Sequence, residues 1–339
     1  MKGLDLAEKY YAEYGRTMLS EYFSTYQDRI AVGLVGEGSE CFGFDDELSR
    51  DHDWGPGFCL WLTAGDHEEI GADLQQRYDA LPKRIEGFER RVEGPHAGKR
   101  TGVFEITDFY RRFIRYDHVP NSIAEWRSLP ETYLATATNG RVFWDPLGEF
   151  TAFRDGLLSF YPEDVRLKKL AARCATAGQT GQYNYRRCIA REELVAAHCA
   201  LSSFIEAVIS IVYLLNKKYR PFYKWMHRGM KELPVLGADC HRLLTDLCAD
   251  GSRPSAGGGG SVIKSESVPD PDEAAIGAHG GGIFARNERI VEEISALIVA
   301  RLRKEGISDS AGYFLLDHAH AVQAKIQNDA LRSLHVMME

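Results

Sequence analysis

The sequence predicts an α+β chain: a mixed β-sheet domain with flanking helices over residues 1–150, then an all-helical domain over residues 151–339. Two apolar runs in the first half, IAVGLV (Ile30–Val35) and GFCLWLT (Gly57–Thr63), have the length and the β-branched or aromatic content of buried strands. From about residue 151 the pattern changes, and apolar residues recur at the three-and-four spacing of amphipathic helices.

Taken in order, Leu4, Ala7, Tyr11, Tyr14, Met18 and Tyr22 mark one face of a first helix. The strand Ile30–Val35 leads into a polar, acidic stretch, GEGSECFGFDDELSRDHDW (Gly36–Trp54), and the second strand follows. Glu68–Ile85 reads as a helix. TGVFEIT (Thr101–Thr107) reads as a third strand, with Val103, Glu105 and Thr107 on one face and Phe104 and Ile106 on the other. Val142–Phe150 closes this half. The second half is predicted helical around PEDVRLKKLAARCATAGQ, REELVAAHCALSSFIEAVISIVYLLNKKY, FYKWMHRGMKEL, NERIVEEISALIVARLRKEG and HAHAVQAKIQNDALRSLHV, with Gly306 as a stop signal. Gly251–Gly282 is too poor in apolar residues to build a core and reads as a flexible insertion.

A length of 339 residues suffices for two cores, and 44% hydrophobic with 27% charged residues is the make-up of a soluble globular protein. The net charge of −8 argues against a broad surface for duplex nucleic acid. No charged start precedes an apolar core at the N-terminus, so no signal peptide is expected. The most apolar stretch, Phe204–Asn216, contains Glu206 and falls short of the roughly 20 residues of a membrane span; it is expected to be a buried helix. Seven cysteines without a CxxC pair suggest reduced thiols, mostly core fillers, in a cytoplasmic protein.

The acidic stretch carries the chemistry. It is not a dinucleotide fingerprint, because Cys41 stands where the third glycine belongs. It is not a Walker loop, because Ser39-Glu40 replaces the Lys-Ser/Thr, nor a serine nucleophile elbow, because Glu37 stands two residues before Ser39. Gly38-Ser39 and Asp51-His52-Asp53 are separated by eleven residues. Aspartates one residue apart on extended backbone face the same side, and at about 4 Å with an effective dielectric near 20 their repulsion is on the order of 4 kcal/mol. A hard divalent cation removes that cost, and Mg²⁺ is commonly held by one or two carboxylates together with substrate phosphates. Gly38 and Ser39 can offer N–H groups and a hydroxyl to a phosphate tail.

The apolar strand, Gly38-Ser39, the spacer and Asp51-His52-Asp53 resemble the signature of the DNA-polymerase-beta-type nucleotidyltransferase superfamily. Leu214–Pro234, LLNKKYRPFYKWMHRGMKELP, resembles the helix, basic turn and Trp-containing helix of streptomycin-type (aminoglycoside) adenylyltransferases. Over nearly its whole length the chain is similar to an uncharacterised group of bacterial nucleotidyltransferase-fold proteins, which pair Gly-Ser…Asp-x-Asp with a KWxxR-like helix and a C-terminal His-containing helix. The resemblance implies a nucleotidyltransferase-type fold and transfer of an NMP from an NTP such as ATP to a hydroxyl acceptor, a small molecule or a protein, with the small molecule favoured. It implies Mg²⁺ (or Mn²⁺) on Asp51 and Asp53, with Glu105 as third carboxylate, serving as ligand or general base, and Asp108 as its competitor. It implies nucleotide contacts from Gly38, Ser39, Lys218 and Lys224.

Where the family motif runs directly into a strand, this chain has Trp54 and then Gly55-Pro56-Gly57. That departure motivates the alternative, a non-catalytic nucleotide-binding or regulatory protein on the same fold. A polymerase or tailing enzyme is disfavoured by the acidic balance. In the basic run Lys217, Lys218, Arg220 and Lys224, two of the four are expected to be ordinary surface charges. Asp317, His318 and His320 have the residue types of a metal site but a poor spacing for one helix face.

Overall fold

A computed structural model describes residues 1–50, 54–90, 98–249 and 282–339. Asp51–Asp53 and all of the Gly251–Gly282 stretch except Gly282 lie outside the described residues. The chain divides into two compact units, Met1–Phe160 and Tyr161–Glu339. The architecture is α+β: a small mixed sheet with helices in the first unit and helices alone in the second.

The first unit begins with α1 (Gly3–Tyr10) and α2 (Arg16–Tyr22), joined by a π-helical turn over Tyr11–Gly15. Gly15 is required there: a Cβ would stand 2.6 Å from the Tyr11 ring and 2.7 Å from the Phe58 ring. Next come β1 (Ala31–Leu34), β2 (Cys59–Leu62) and α3 (Ala64–Asp79), the last capped by the Thr63 side chain accepting from the Asp66 N–H. A two-strand hairpin, β3 (Arg84–Ile85) and β4 (Phe88–Glu89), turns through Glu86 (φ 52°) and Gly87 (φ 83°), the two positive φ angles of a primed turn. The helix expected to reach Ile85 therefore stops at Asp79, and Ile85 belongs to this hairpin.

The remaining elements are β5 (Gly102–Glu105), α4 (Ile106–Ile114), α5 (Ile123–Ser128), α6 (Glu131–Thr138), β6 (Arg141–Trp144) and α7 (Glu149–Leu158). The sheet order is β5-β2-β1-β6; β1 is antiparallel to β2 and β6, and β2 is parallel to β5. Side chains alternate across it. Val32, Leu60, Leu62 and Val103 join Leu6, Tyr10, Leu74 and Tyr78 in one core. On the opposite face Trp61 stacks on Phe150 at 3.8 Å and meets Phe109 edge-on at 5.3 Å. Covering on both faces explains why these strands read as continuous apolar runs instead of alternating ones.

The expected strand Thr101–Thr107 ends at Glu105, and a helix starts one residue later. The reason is local. Ile106, Phe109, Tyr110, Phe113 and Ile114 are all buried and follow the helical period, and Glu105 caps the new helix. The strand alternation of the first residues does not extend to Ile106 and Thr107.

In the second unit α8 (Glu163–Ala177) continues through a π-helical stretch, Gly178–Tyr185, into α9 (Arg186–Ala190). Then follow α10 (Leu194–Leu215), α11 (Tyr223–Met230), α12 (Gly237–Cys248), α13 (Ile283–Lys304), α14 (Leu315–Ala324) and α15 (Asp329–Arg332). Among the described residues α10 alone is long and apolar enough to cross a membrane. From Phe204 it is the buried core helix: Val208, Ile209, Ile211, Val212 and Leu214 are fully buried. Lys168 on α8 is fully buried too, its ammonium donating to Gln323 Oε1 (2.7 Å) and to the carbonyls of His335 (2.7 Å) and Val336 (3.2 Å). Three acceptors match its three donors, which offsets the cost of burying the charge. Cys41, Cys59, Cys174 and Cys240 are buried free thiols, and Cys199 and Cys248 are exposed. Burial pushes the Cys174 thiol up to about 12, so it is inert.

His318 on α14 is a satisfied core histidine. Its Nε2 lies 2.8 Å from the Gly312 carbonyl and its Nδ1 2.7 Å from Ser308 Oγ. A carbonyl only accepts, so Nε2 carries the proton and Nδ1 accepts from the hydroxyl. Burial holds its pKa below the ordinary value. The unfolded chain therefore binds a proton more readily, and stability is full above about pH 6.5 and declines as pH falls toward the folded pKa. Urea midpoints measured between pH 7.5 and 5.5 are expected to fall with pH, and this fall to shrink in His318→Gln; an unchanged slope in the variant would assign the dependence to other groups.

Candidate functional site

β1 delivers the chain to the loop Gly36–Glu40. Gly36 (φ 122°) and Gly38 (φ 124°) both adopt conformations that side chains disfavour. Gly36 is clamped in both directions by Asn139: its N–H donates to Asn139 Oδ1 (2.9 Å), and Asn139 Nδ2 donates to its carbonyl (2.8 Å). Arg154 fixes the clamp from behind by donating to the carbonyls of Thr138 (2.7 Å) and Asn139 (3.2 Å). Gly140 then donates to the Cys41 carbonyl (2.8 Å), tying the far end of the loop to the same turn.

The carbonyl of Ser39 accepts from Phe42 (3.2 Å) and Phe44 (2.9 Å). The N–H groups of Gly38 and Ser39 and the Ser39 hydroxyl make no hydrogen bond to any described residue. Two donors in a glycine-containing turn and a hydroxyl beside them are the groups an anionic oxygen takes up.

The surroundings are charged. Glu40 is 3% exposed, and its carboxylate lies against Gly38, 2.5 Å from where a Cβ would stand. Glu37 pairs with Arg100 at 3.5 Å. Asp45, 2% exposed, accepts from the Gly3 N–H at the start of α1 (2.8 Å) and from Trp54 Nε1 (3.3 Å), and Lys2 stands 3.5 Å away. Arg50 lies over the Trp54 ring at 4.9 Å, so the residues immediately before and after the aspartate pair touch each other. Strand β2 begins at Cys59, five residues beyond Trp54, with Gly55, Pro56 and Gly57 buried in between. Among the described residues no group of three His, Cys, Asp or Glu could hold a metal ion.

Glu105 is elsewhere. Gly33 pairs with Cys59 and Cys59 with Gly102, so the Gly36–Glu40 loop lies at the Gly102 end of β5, whereas Glu105 pairs with Leu62. The separation along the strand from Gly102 is roughly 10 Å at about 3.3 Å per residue. Its carboxylate accepts from Thr107 N–H (2.9 Å), Thr107 Oγ1 (2.7 Å) and Asp108 N–H (2.6 Å). The structure thus brings Glu40 against Gly38, sets Asp45 at the start of α1, and does not bring Glu105 to them. Asp108 pairs with Arg111 on α4. Glu105→Ala is expected to cost about 1 kcal/mol through the lost cap, and Glu105→Ser, which can cap, much less. Nucleotide binding should change in neither; a tenfold loss measured by calorimetry would give Glu105 a role that its hydrogen bonds do not.

In the second unit Lys217 stands 4.0 Å from Glu163, and Arg220, 8% exposed, pairs with Glu206 at 3.1 Å. Lys218 and Lys224 are exposed and make no ion pair among the described residues. Tyr183 and Arg187 of the YNYRR run cover each other at 4.9 Å, and Tyr185 is buried against Asn287.

Asn139, Gly140 and Glu40 escaped the sequence reading. Asn139-Gly140 is a common turn dipeptide, and nothing in it announces that it meets a loop about a hundred residues earlier. Glu40 reads as one more charge in an acidic run until its burial is seen.

Residues 126–226 match a protein family described as a domain of unknown function (DUF4037). No curated protein matches the chain. Among solved structures, a nucleotidyltransferase-like protein from Exiguobacterium sibiricum 255-15 is similar at 13% identity, over 88% of this chain and 79% of that one. The TM-score is 0.31, too loose a superposition to carry an argument about this chain.

Proposed function

We propose that this chain is a nucleotidyltransferase that moves an NMP from an NTP to a hydroxyl on a small acceptor. The observation that carries the reading is the clamped Gly36–Glu40 loop. Its Gly38 and Ser39 donors are not used by any described residue, at the end of the sheet where β2 begins. Gly38 and Ser39 would hold phosphate oxygens, and the Asn139 clamp would keep the loop from reorganising when they bind. Asp51 and Asp53 would hold Mg²⁺ or Mn²⁺, which supplies charge neutralisation of the triphosphate when bound. In the second unit Lys218 and Lys224 are candidate nucleotide contacts, being exposed and without an ion pair among the described residues where Lys217 and Arg220 have one.

The placement of Glu105 favours a second reading, nucleotide binding without transfer, because the expected third carboxylate is spent on capping α4. Buried Glu40 beside Gly38 is the carboxylate at the right end of the sheet to replace it. The two readings separate in one assay. Purified protein is given each NTP with Mg²⁺, and calorimetric binding and pyrophosphate release are measured with and without a hydroxylated acceptor library. Metal-dependent binding with pyrophosphate release supports transfer, binding that survives EDTA without release supports the second reading, and no binding of any NTP refutes both.

A further inference from the structure

A cleft of about 300 Å³ opens between the C-terminal end of α4 and the turn that joins α5 to α6. Phe113 and Leu129 are buried in its wall, Tyr116 and Pro130 line it, and Tyr133 stands at its edge, 47% exposed. Its walls combine these rings with polar groups: Ser128 also lines it, its Oγ 3.2 Å from the Tyr116 hydroxyl. A single cation faces the same space, Arg115.

Two features of Arg115 bear on this cleft. First, no carboxylate among the described residues pairs with it, although acids are close in sequence. Asp117 is taken up by Arg111 (3.3 Å) and His118 (2.9 Å), and Glu125 by the N–H of Asn121 (2.8 Å) and by His118. Second, Arg115 closes α4 in the left-handed conformation (φ 64°, ψ 2°), donating its N–H to the Arg111 carbonyl at 2.9 Å. Glycine adopts that conformation without strain and is the common residue at such a helix end. The backbone gains nothing from an arginine there, as at Phe160, Glu192 and Leu236, which also have positive φ; what Arg115 adds is a guanidinium at the cleft.

Aromatic walls with one guanidinium that pairs with no carboxylate among the described residues fit one kind of guest. We propose that this cleft binds a small aromatic anion, a one- or two-ring compound bearing a carboxylate or phosphate. The ring packs between Tyr133, Pro130 and Phe113, and the anionic group meets Arg115. The volume is at the small end for ligand sites, of the order of 300–1,000 Å³, and an apolar cavity of about 150 Å³ already admits benzene, so one or two rings fit and a polymer does not. Guanidinium groups recognise carboxylate and phosphate in two-point fashion, which supplies the selectivity for anions. The Phe113 ring is also 3.5 Å from where a Gly36 Cβ would stand, so the cleft shares a wall with the Gly36–Glu40 loop. The proposal holds whether or not that loop binds a nucleotide.

The test uses the full chain and defined probes: benzoate, indole-3-carboxylate and phenyl phosphate, with benzamide and benzamidine as uncharged and cationic controls, read by saturation-transfer NMR and calorimetry. The anions are expected to bind at least about tenfold more tightly than benzamide, with benzamidine weakest, and the ranking of phenyl phosphate against the carboxylates identifies the preferred anionic group. Arg115→Gly is expected to keep or raise the thermal midpoint while lowering anion affinity about tenfold or more, and Arg115→Gln carries the same binding expectation if the glycine variant folds poorly. Tyr133→Ala should weaken all ring compounds alike. Equal binding of benzamide, full binding by both Arg115 variants, or no binding of any anion at about 10 mM would each overturn the proposal.

Discussion

Asp51→Asn/Asp53→Asn is expected to lower metal-dependent NTP affinity by at least about a hundredfold while leaving the folded fraction unchanged. The substitution keeps size and removes two negative charges. At about 4 Å and an effective dielectric near 20, each carboxylate–cation contact is of the order of several kcal/mol before desolvation is subtracted. A net loss of about 2.7 kcal/mol over both sites already gives the hundredfold change. Titration of ATP, GTP, CTP and UTP into wild type and variant, in Mg²⁺ and in EDTA, reads it directly. A variant that binds as well as wild type in Mg²⁺ would remove the aspartate pair from the site and with it the transfer reading. Wild-type binding unaffected by EDTA and retained in the variant would instead leave a nucleotide-binding loop without a metal.

Gly140→Ala is expected to destabilise the chain by about 4 kcal/mol, and Gly148→Ala by only about 1 kcal/mol. Both glycines have left-handed backbone, φ 68° and 73°. They differ in what surrounds them. A Cβ at Gly148 meets nothing within 4 Å, whereas one at Gly140 would stand 2.0 Å from the Leu34 carbonyl oxygen and 2.9 Å from Val35 Cα. Those are backbone atoms of the central strand and the residue after it, so they cannot swing aside as a side chain would. Strain of about 1–3 kcal/mol from the backbone and a similar amount from overpacking add at the same residue. Any relief moves the Leu34–Arg141 pairing and the Asn139–Gly36 clamp with it, so NTP affinity should drop in Gly140→Ala and not in Gly148→Ala. Urea unfolding of the two variants checks the difference; equal losses would mean that close packing at Gly140 contributes nothing.

The strands β1 and β2, the long α10 and the helical second half were legible because burial on both faces and helical periodicity write themselves into adjacent residues. The end of β5 was not, although the signal for α4 was present: the apolar period from Ile106 to Ile114 outweighs a strand alternation supported by few residues. Helices α5 and α6 are short or weakly patterned and leave no comparable trace, whereas α12 carries the helical period in Cys240, Leu243, Leu244 and Leu247. For the site, the glycine-containing turn at Gly38-Ser39 was legible, Asp51 and Asp53 lie outside the described residues, and the part of Glu105 hung on an assumed strand face.

The amino-acid sequence by itself determined the α+β class, the helical second half and the loop worth studying, since each depends on contacts between near neighbours. Tertiary structure alone decided that Asn139 clamps Gly36, that Glu40 is buried against Gly38, and that Glu105 caps a helix at the other end of the sheet. It also decided that Arg115 lines a cleft and pairs with no carboxylate among the described residues. Each of these rests on strand register or on residues far apart in the chain meeting in space. Local propensity carries no record of which distant residue supplies the partner.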